Sequence, residues 1–415
     1  MTQARGEILF LAHRIPFPPD RGDKIRSHHI LRALAQLAPV HVGTFTDDEH
    51  DGDAEAQLAL TATTYNLASR TRSLVMAGIQ ALATRRPVSL PAFAHGDLHE
   101  FVGHTLAARP IATIYAFSSQ MAQYIPVDFA GRVVMDFVDV DSAKFEAYAG
   151  LATQPLRTLY TREARLLAAY EAEVARRAHA TLFVTEEEAA LFRARLDSAS
   201  RAASNVRALG NGIDCDAFSA SLVGPAPELV GTPGPHLLFT GQMDYPPNVA
   251  AVARFATRIM PAIRERFGEA KFHIVGREPS SAVTSLEGQA GARVWGKVAD
   301  MRPWLAAADL VVAPLEIARG VQNKVLEAMA MARPVLASPG AATGIAARDG
   351  LEIAIAGDDA AFIARGLALL GAPEKRSALG MAARQFVADH QSWPAMLGDL
   401  PAIVGIDPRE FRDAA

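Results

Sequence analysis

The sequence predicts an α/β protein built from two doubly wound, parallel-sheet domains. Three observations carry that expectation. Short apolar runs alternate with longer stretches of helical periodicity from one end of the chain to the other. The apolar runs are rich in Val, Ile and Leu without strict alternation, so both their faces are buried, as in a parallel sheet covered by helices. The pattern breaks once, between Asn211 and Pro235, where Gly224-Pro225, Pro227 and Gly231-Thr-Pro-Gly-Pro235 crowd together, and it restarts at His236. At 415 residues the chain also exceeds the ~250–300 at which a single core stops growing.

In the first half the expected strands are Ile8–Ala12, Val40–Phe45, Ile111–Phe117, Val133–Val138, Thr181–Val184 and Val206–Leu209. Helical spacing joins Ile25, Ile30, Leu31, Leu34 and Leu37, and it runs through the long stretch Ser142–Ala178. In the second half the strands are Leu237–Thr240, Phe272–Val275, Arg293–Trp295, Leu310–Ala313, Val335–Ala337 and Ile353–Ile355. The domains are expected at residues 1–210 and 211–390, with a helical segment at 391–415 packing back on the first. Parallel strands bind ligands at their carboxyl ends, so two such domains facing each other would enclose a cleft lined by strand-end loops.

Composition narrows the function. Lys plus Arg is 41 against 45 for Asp plus Glu, a net charge of −4, which excludes a global pull toward nucleic acid. One cysteine, Cys215, rules out an internal disulfide framework and fits a reducing cytosol. No apolar run reaches the ~18 residues of a membrane span. No signal-peptide core precedes the first strand, so a soluble cytoplasmic protein is expected. The histidines lack metal-site spacing, and no G-x-S-x-G elbow or Walker lysine is present.

Five segments stand out. After the first strand come Arg14, Arg21, Gly22, Asp23, Lys24 and Arg26, a strand–loop–helix junction able to cradle an anion on helix amides. The plainer account makes Asp23 a helix cap and the basic residues a solvated surface. The strand ending at Val138 leads into Asp139 and Asp141, which suit contact with sugar hydroxyls, general-base work or, less naturally, a metal. Asn211-Gly212 reads as a tight turn, Asn-Gly tolerating positive φ. Past the strand at Ala313, a polar loop holds Arg319, Gly320, Gln322, Asn323 and Lys324, and a helix starting near Val321 stops before Pro334. Lys324 and Glu327 share one helical face; the cations would steady a diphosphate while the carboxylate accepts from a ribose diol, or the two form an ordinary surface pair. Leu74, Val75, Met76, Ile79 and Leu82, flanked by Arg70, Arg72, Arg85 and Arg86, read either as core or as a helix lying on a membrane.

Together these segments resemble the two-domain GT-B glycosyltransferases, in particular family GT4. The likeness rests on Asn211-Gly-Ile-Asp214 with Phe218, on Leu326-Glu327-Ala-Met-Ala with Pro334-Val-Leu-Ala-Ser338, on the Gly22 loop and on Val184-Thr185-Glu186. The segments Arg21-Gly-Asp-Lys-Ile-Arg-Ser27, Asp136-Phe-Val-Asp-Val-Asp-Ser142 and Ala318-Arg-Gly-Val-Gln-Asn-Lys324 are closer still to bacterial exopolysaccharide sugar transferases found with PEP-CTERM sorting. The resemblance implies two Rossmann-like domains, a nucleotide-diphosphate sugar donor and a glycan or lipid-linked glycan acceptor, with no bound metal or other cofactor. It implies donor contacts from Gly241, Gln242, Asn323, Lys324 and Glu327, with Lys324, Arg319, Asp139 and Asp141 in catalysis. Gly22, Asp23, Lys24 and Arg26 would meet the acceptor or phosphate. The chain departs from the family in two places: Arg319 stands where a glutamate is usual, and Gln242 where a basic residue follows the first strand of the second domain. A nucleotide-sugar epimerase and a non-catalytic nucleotide-sugar-binding scaffold are the alternatives on this fold. Partners on this view are the donor and acceptor, with peripheral contact at the inner face of a membrane and no nucleic acid.

Overall fold

A computed structural model describes residues 6–46, 52–69, 74–316 and 321–406. The chain divides into two compact units, one comprising Met1–Asn211 with Met396–Ala415 and the other Gly212–Ala395.

The first unit holds seven strands: β1 (Glu7–Ala12), β2 (Val40–Thr46), β3 (Thr64–Ser69), β4 (Ile111–Phe117), β5 (Arg132–Val138), β6 (Ala180–Phe183) and β7 (Val206–Ala208). They pair in parallel in the order β3-β2-β1-β4-β5-β6-β7, so the connections reverse direction between β1 and β4. Six of these strands match the expected runs to within a residue at each end. The sequence gives little sign of β3, because Thr64–Ser69 is an edge strand with largely uncovered polar positions. Ser142–Ala178 is not one helix but two, Asp141–Leu151 and Leu156–Arg177. Pro155 has no N–H to donate and closes the connection between them.

A buried polar network crosses this sheet. Arg26, on the Gly22–Ala35 helix, gives Nε to Asp136 Oδ2 at 3.0 Å, and its Nη1 donates to the Leu209 carbonyl and to Asn211 Oδ1, each at 2.8 Å. Tyr115 donates its hydroxyl to the same Asp136 oxygen at 2.8 Å. The Leu400–Val404 helix returns to this unit, where Val404 accepts from Thr113 Oγ1 at 2.9 Å and Ile403 from Arg132 Nη1 at 3.3 Å.

The second unit has strands β8 (His236–Thr240), β9 (Lys271–Val275), β10 (Ala292–Gly296), β11 (Leu310–Ala313), β12 (Val335–Ala337) and β13 (Ala354–Ile355), all parallel, in the order β10-β9-β8-β11-β12-β13. Leu237, Leu238, Phe239, Phe272, Ile274, Val311 and Leu336 fill its core and are essentially sealed from solvent. Each unit is therefore a doubly wound parallel sheet, the class the apolar runs predict. Gly212 corrects one local reading. Its φ is not positive; a Cβ there would lie 2.4 Å from the Trp393 amide nitrogen, so glycine is required by close backbone approach instead of by turn geometry.

Candidate functional site

In the second unit the connections reverse between β8 and β11, and the candidate donor residues collect at that point. Gly241 and Gln242 follow β8, and the Asn323–Ala330 helix follows the loop after β11. That helix starts two residues later than its sequence suggests, with Val321 outside it and Gln322 still extended. Asn323 is exposed in its first turn. Lys324 turns back over the sheet, donating to Asn248 Oδ1 at 2.6 Å and standing 4.3 Å from the centre of the Phe239 ring. Burial lowers its pKa to about 8. Glu327 lies one turn on, and its carboxylate accepts no hydrogen bond among the described residues. Burial raises its pKa, and the Lys324 charge partly offsets the rise. The arrangement is not the surface ion pair that the i, i+3 spacing also allowed: the two groups share no direct ion pair. A half-buried carboxylate with free acceptor capacity beside an un-neutralised ammonium suits a ligand carrying both hydroxyls and negative charge. Arg319 lies outside the described residues.

The glycine at the end of β8 has a counterpart that the sequence did not single out. Gly276 follows β9, and a Cβ on it would lie 1.6 Å from the Gly241 carbonyl oxygen. A Cβ on Gly241 would in turn stand 3.0 Å from Lys324 Nζ and 2.9 Å from Asn248 Nδ2. One residue past each glycine, Arg277 donates from Nη2 to Gln242 Oε1 at 3.0 Å. Asn248 also donates to the Gln242 carbonyl at 2.8 Å, so it ties the β8 end to Lys324. The available signal for Arg277 was a basic residue directly after a strand-end glycine, in Val275-Gly-Arg277. Along the same carboxyl edge a cavity of about 710 Å³ is lined by Glu316, Ser338, Gly340, Asp358, Arg254 and Arg258 among others.

The first-unit loop needs correction. Gly22 opens the Gly22–Ala35 helix, and a Cβ there would meet nothing within 4 Å, so close approach by a ligand is sterically open. Asp23 is held by Arg14 at 2.6 Å and His13 at 3.4 Å, contacts that keep its carboxyl well below the usual range. Lys24 is buried, with Nζ donating to the Phe17 carbonyl at 3.2 Å. Arg26 is 1% exposed and committed to Asp136, Leu209 and Asn211. Lys24 and Arg26 therefore hold the loop and sheet together, each buried and bonded within the first unit.

The strand-end acids stay accessible. Asp139 is exposed beyond β5; desolvation, with Glu188 and Asp141 nearby, raises its pKa. Asp141 accepts from Ser119 Oγ at 2.8 Å. Beside them the backbone is strained: Ser118 and Val138, just beyond β4 and closing β5, have φ of 77° and 72°. Among the described residues no cluster of three His, Cys, Asp or Glu is arranged to hold a metal ion.

The arginine-flanked stripe also resolves. In the Leu74–Thr84 helix Ala77 and Ala81 face inward, while Met76, Ile79 and Leu82 are 62%, 58% and 64% exposed. The stripe is thus surface and not core; the side chains of Leu74 and Val75 and the residues Arg70 and Arg72 lie outside the described set. No described helix is long and apolar enough to cross a membrane.

With this geometry in place, comparison with known proteins is informative. Residues 234–371 match the family model described as glycosyl transferases group 1. The matched stretch lies within the second unit. It contains Gly241, Gln242, Arg277, Lys324 and Glu327. Solved structures extend the likeness over both units. Sucrose-phosphate synthase from Thermosynechococcus elongatus is 16% identical with a TM-score of 0.58, covering 99% of this chain and 100% of that one. Anabaena HepE, solved in complex with UDP, is 14% identical with a TM-score of 0.60, covering 96% and 99%. WaaG, a glycosyltransferase involved in lipopolysaccharide biosynthesis, is 17% identical with a TM-score of 0.57, covering 96% and 100%. At these identities the likeness is one of fold, and the fold is that of the GT-B glycosyltransferases. No curated protein matches the chain in sequence.

Proposed function

We propose that the protein is a GT4-type, retaining glycosyltransferase that moves a sugar from a nucleotide-diphosphate donor to a glycan or lipid-linked glycan acceptor. The observation that carries this reading is the juxtaposition, at the β8/β11 crevice, of Glu327, whose half-buried carboxylate has no internal donor, with the un-neutralised Lys324. Glu327 takes the ribose diol. Lys324, with Arg319 by sequence, stabilises charge that develops on the departing diphosphate, where fixed donors act most strongly. Asp139 and Asp141 serve the acceptor hydroxyl in the first unit, and Gly22 admits close approach of acceptor or phosphate to its loop. Basic side chains carry the leaving-group charge here, so no bound metal enters the reaction.

The group 1 match supports the donor side of this reading, as does the fold shared with HepE, whose structure holds UDP. The segments Arg21–Ser27 and Asp136–Ser142 support synthesis of exopolysaccharide or another surface glycan, and the exposed Met76, Ile79 and Leu82 with Arg85 and Arg86 support peripheral contact with a membrane. A thermal-shift panel of UDP, GDP, ADP and dTDP sugars identifies the donor, since bound ligand raises the melting point by mass action. Nucleotide release in EDTA then separates the possibilities. Release that needs acceptor supports transfer; an epimerised sugar without acceptor points to an epimerase; binding without turnover points to a scaffold. Activity lost in EDTA and restored by Mg²⁺ would overturn the metal-free mechanism.

A further inference from the structure

Most arginines fixed at the surface of the second unit are held by carboxylates. Arg254 pairs with Asp359 at 2.6 Å, Arg302 with Asp300 at 2.8 Å and Arg376 with Asp309 at 3.1 Å. Two cations at the carboxyl edge are held differently. Lys324 is oriented by the amide oxygen of Asn248, and Arg277 by the amide oxygen of Gln242. Neither has a carboxylate ion pair among the described residues. An amide oxygen fixes a cation's direction and leaves its charge un-neutralised, so both positions keep their positive charge for something else.

The two are also coupled in space. Asn248 binds Lys324 through Oδ1 and the Gln242 carbonyl through Nδ2, and Gln242 in turn holds Arg277, so four side chains run across the ends of β8 and β9. Beneath them Gly241 and Gly276 are in backbone contact, which leaves that floor without side chains. Arg277 is exposed, whereas Lys324 is largely covered. A planar guanidinium above a bare backbone floor, beside a second cation, matches the spread charge of a pyrophosphate better than that of a single phosphate.

We infer that Arg277 binds the pyrophosphate of the donor and that Gln242 is its positioning residue, so the cation missing from the end of β8 is supplied from the end of β9. This inference rests on the nucleotide-sugar reading above and adds to it the residue that meets the second phosphate. It also explains Gln242: an arginine or lysine there would repel Arg277, and an acid would neutralise it.

The test is calorimetric titration of the purified protein with UDP, GDP, ADP and dTDP and with the matching monophosphates. Arg277→Ala should weaken the preferred diphosphate about 10–100-fold and its monophosphate less than about threefold. Arg277→Lys should recover part of the loss. Gln242→Ala should weaken the diphosphate about threefold to tenfold alone and add nothing to Arg277→Ala, since its effect passes through that guanidinium. In the Arg277→Ala background, Gln242→Arg should restore diphosphate affinity from the β8 side. Wild-type affinity for a diphosphate that Arg277→Ala leaves unchanged would overturn the inference and spare the nucleotide reading. Additive Gln242 and Arg277 effects would overturn the positioning role. A wild type that binds no nucleotide in the panel would overturn both.

Discussion

Arg26 and Asp136, 110 residues apart, form an ion pair with side-chain exposures of 1% and 0%. The carboxylate also takes Tyr115, and the guanidinium reaches on to Leu209 and Asn211, so the pair joins the first helix, two central strands and the end of the unit. Removing one partner strands the other charge away from water. Arg26→Ala should therefore lower the unfolding free energy by about 3–5 kcal/mol. The check is the urea midpoint; a change under about 1 kcal/mol would show that the pair is dispensable.

Lys324 predicts two opposed pH dependences. Its folded pKa of about 8 lies below its ordinary 10.5, so between these values the unfolded chain holds more protons than the folded one. Stability should rise with pH across that window as the buried charge is shed. Diphosphate affinity should fall across the same window as its cation disappears. Lys324→Met should flatten both trends, which denaturation and UDP titration from pH 7 to pH 10 would record. Turnover should fall about 10²–10³-fold in Lys324→Ala, and wild-type rates there would place the leaving-group cation elsewhere.

Glu327 should act on the part of the ligand that all nucleotides share. Glu327→Ala is expected to weaken UMP and UDP alike by about tenfold or more. A 2′-deoxy nucleotide should bind poorly to wild type and lose little further in the variant. A selective loss of diphosphate would move Glu327 from the ribose to the phosphates.

Glu171 reports on the helical hairpin. Ser142 donates to it from N at 3.0 Å and from Oγ at 2.6 Å, yet burial still lifts its pKa to about 7, above its ordinary 4.5. The folded state thus holds the extra proton between those values, and stability contributed by this group is present below 4.5 and lost as pH rises through 7. Glu171→Gln keeps an oxygen for Ser142 and cannot ionise. It should raise the melting temperature at pH 8 relative to wild type and leave pH 4.5 nearly unchanged; a lower value at pH 8 would show that the charged form is the one the fold needs.

The exposed stripe of the Leu74–Thr84 helix should bind lipid. Flotation with phosphatidylcholine vesicles carrying about one-third phosphatidylglycerol is expected to carry wild type upward. Combined Met76→Ser, Ile79→Ser and Leu82→Ser should leave it behind, with folding intact because all three side chains are already exposed. Equal flotation of both proteins would place any membrane contact elsewhere.

The fold was largely legible because its strands are buried on both faces and advertise themselves as unbroken apolar runs. Thr64–Ser69 escaped because an edge strand needs no such run. The donor helix was legible from Lys324 and Glu327, whose spacing is local. Pairings across the sheet were not. Arg26 looks like a loop cation until Asp136 is folded beneath it, and Arg277 acquires its meaning only when β9 brings it to Gln242, 35 residues away in sequence. A sequence shows charge and period, but not which strand ends become neighbours.

The second unit is one unbroken stretch, Gly212–Ala395, while the first is assembled from two. On the ribosome, then, every residue of the second sheet emerges before the Leu400–Val404 helix that completes the first. Until that helix arrives, Thr113 and Arg132 lack the carbonyls of Val404 and Ile403, and the flank of β4 and β5 that it covers stays open to water and to other nascent chains. Translation halted at Ala395 would release a finished second unit attached to an unfinished first one, a product suited to proteolysis.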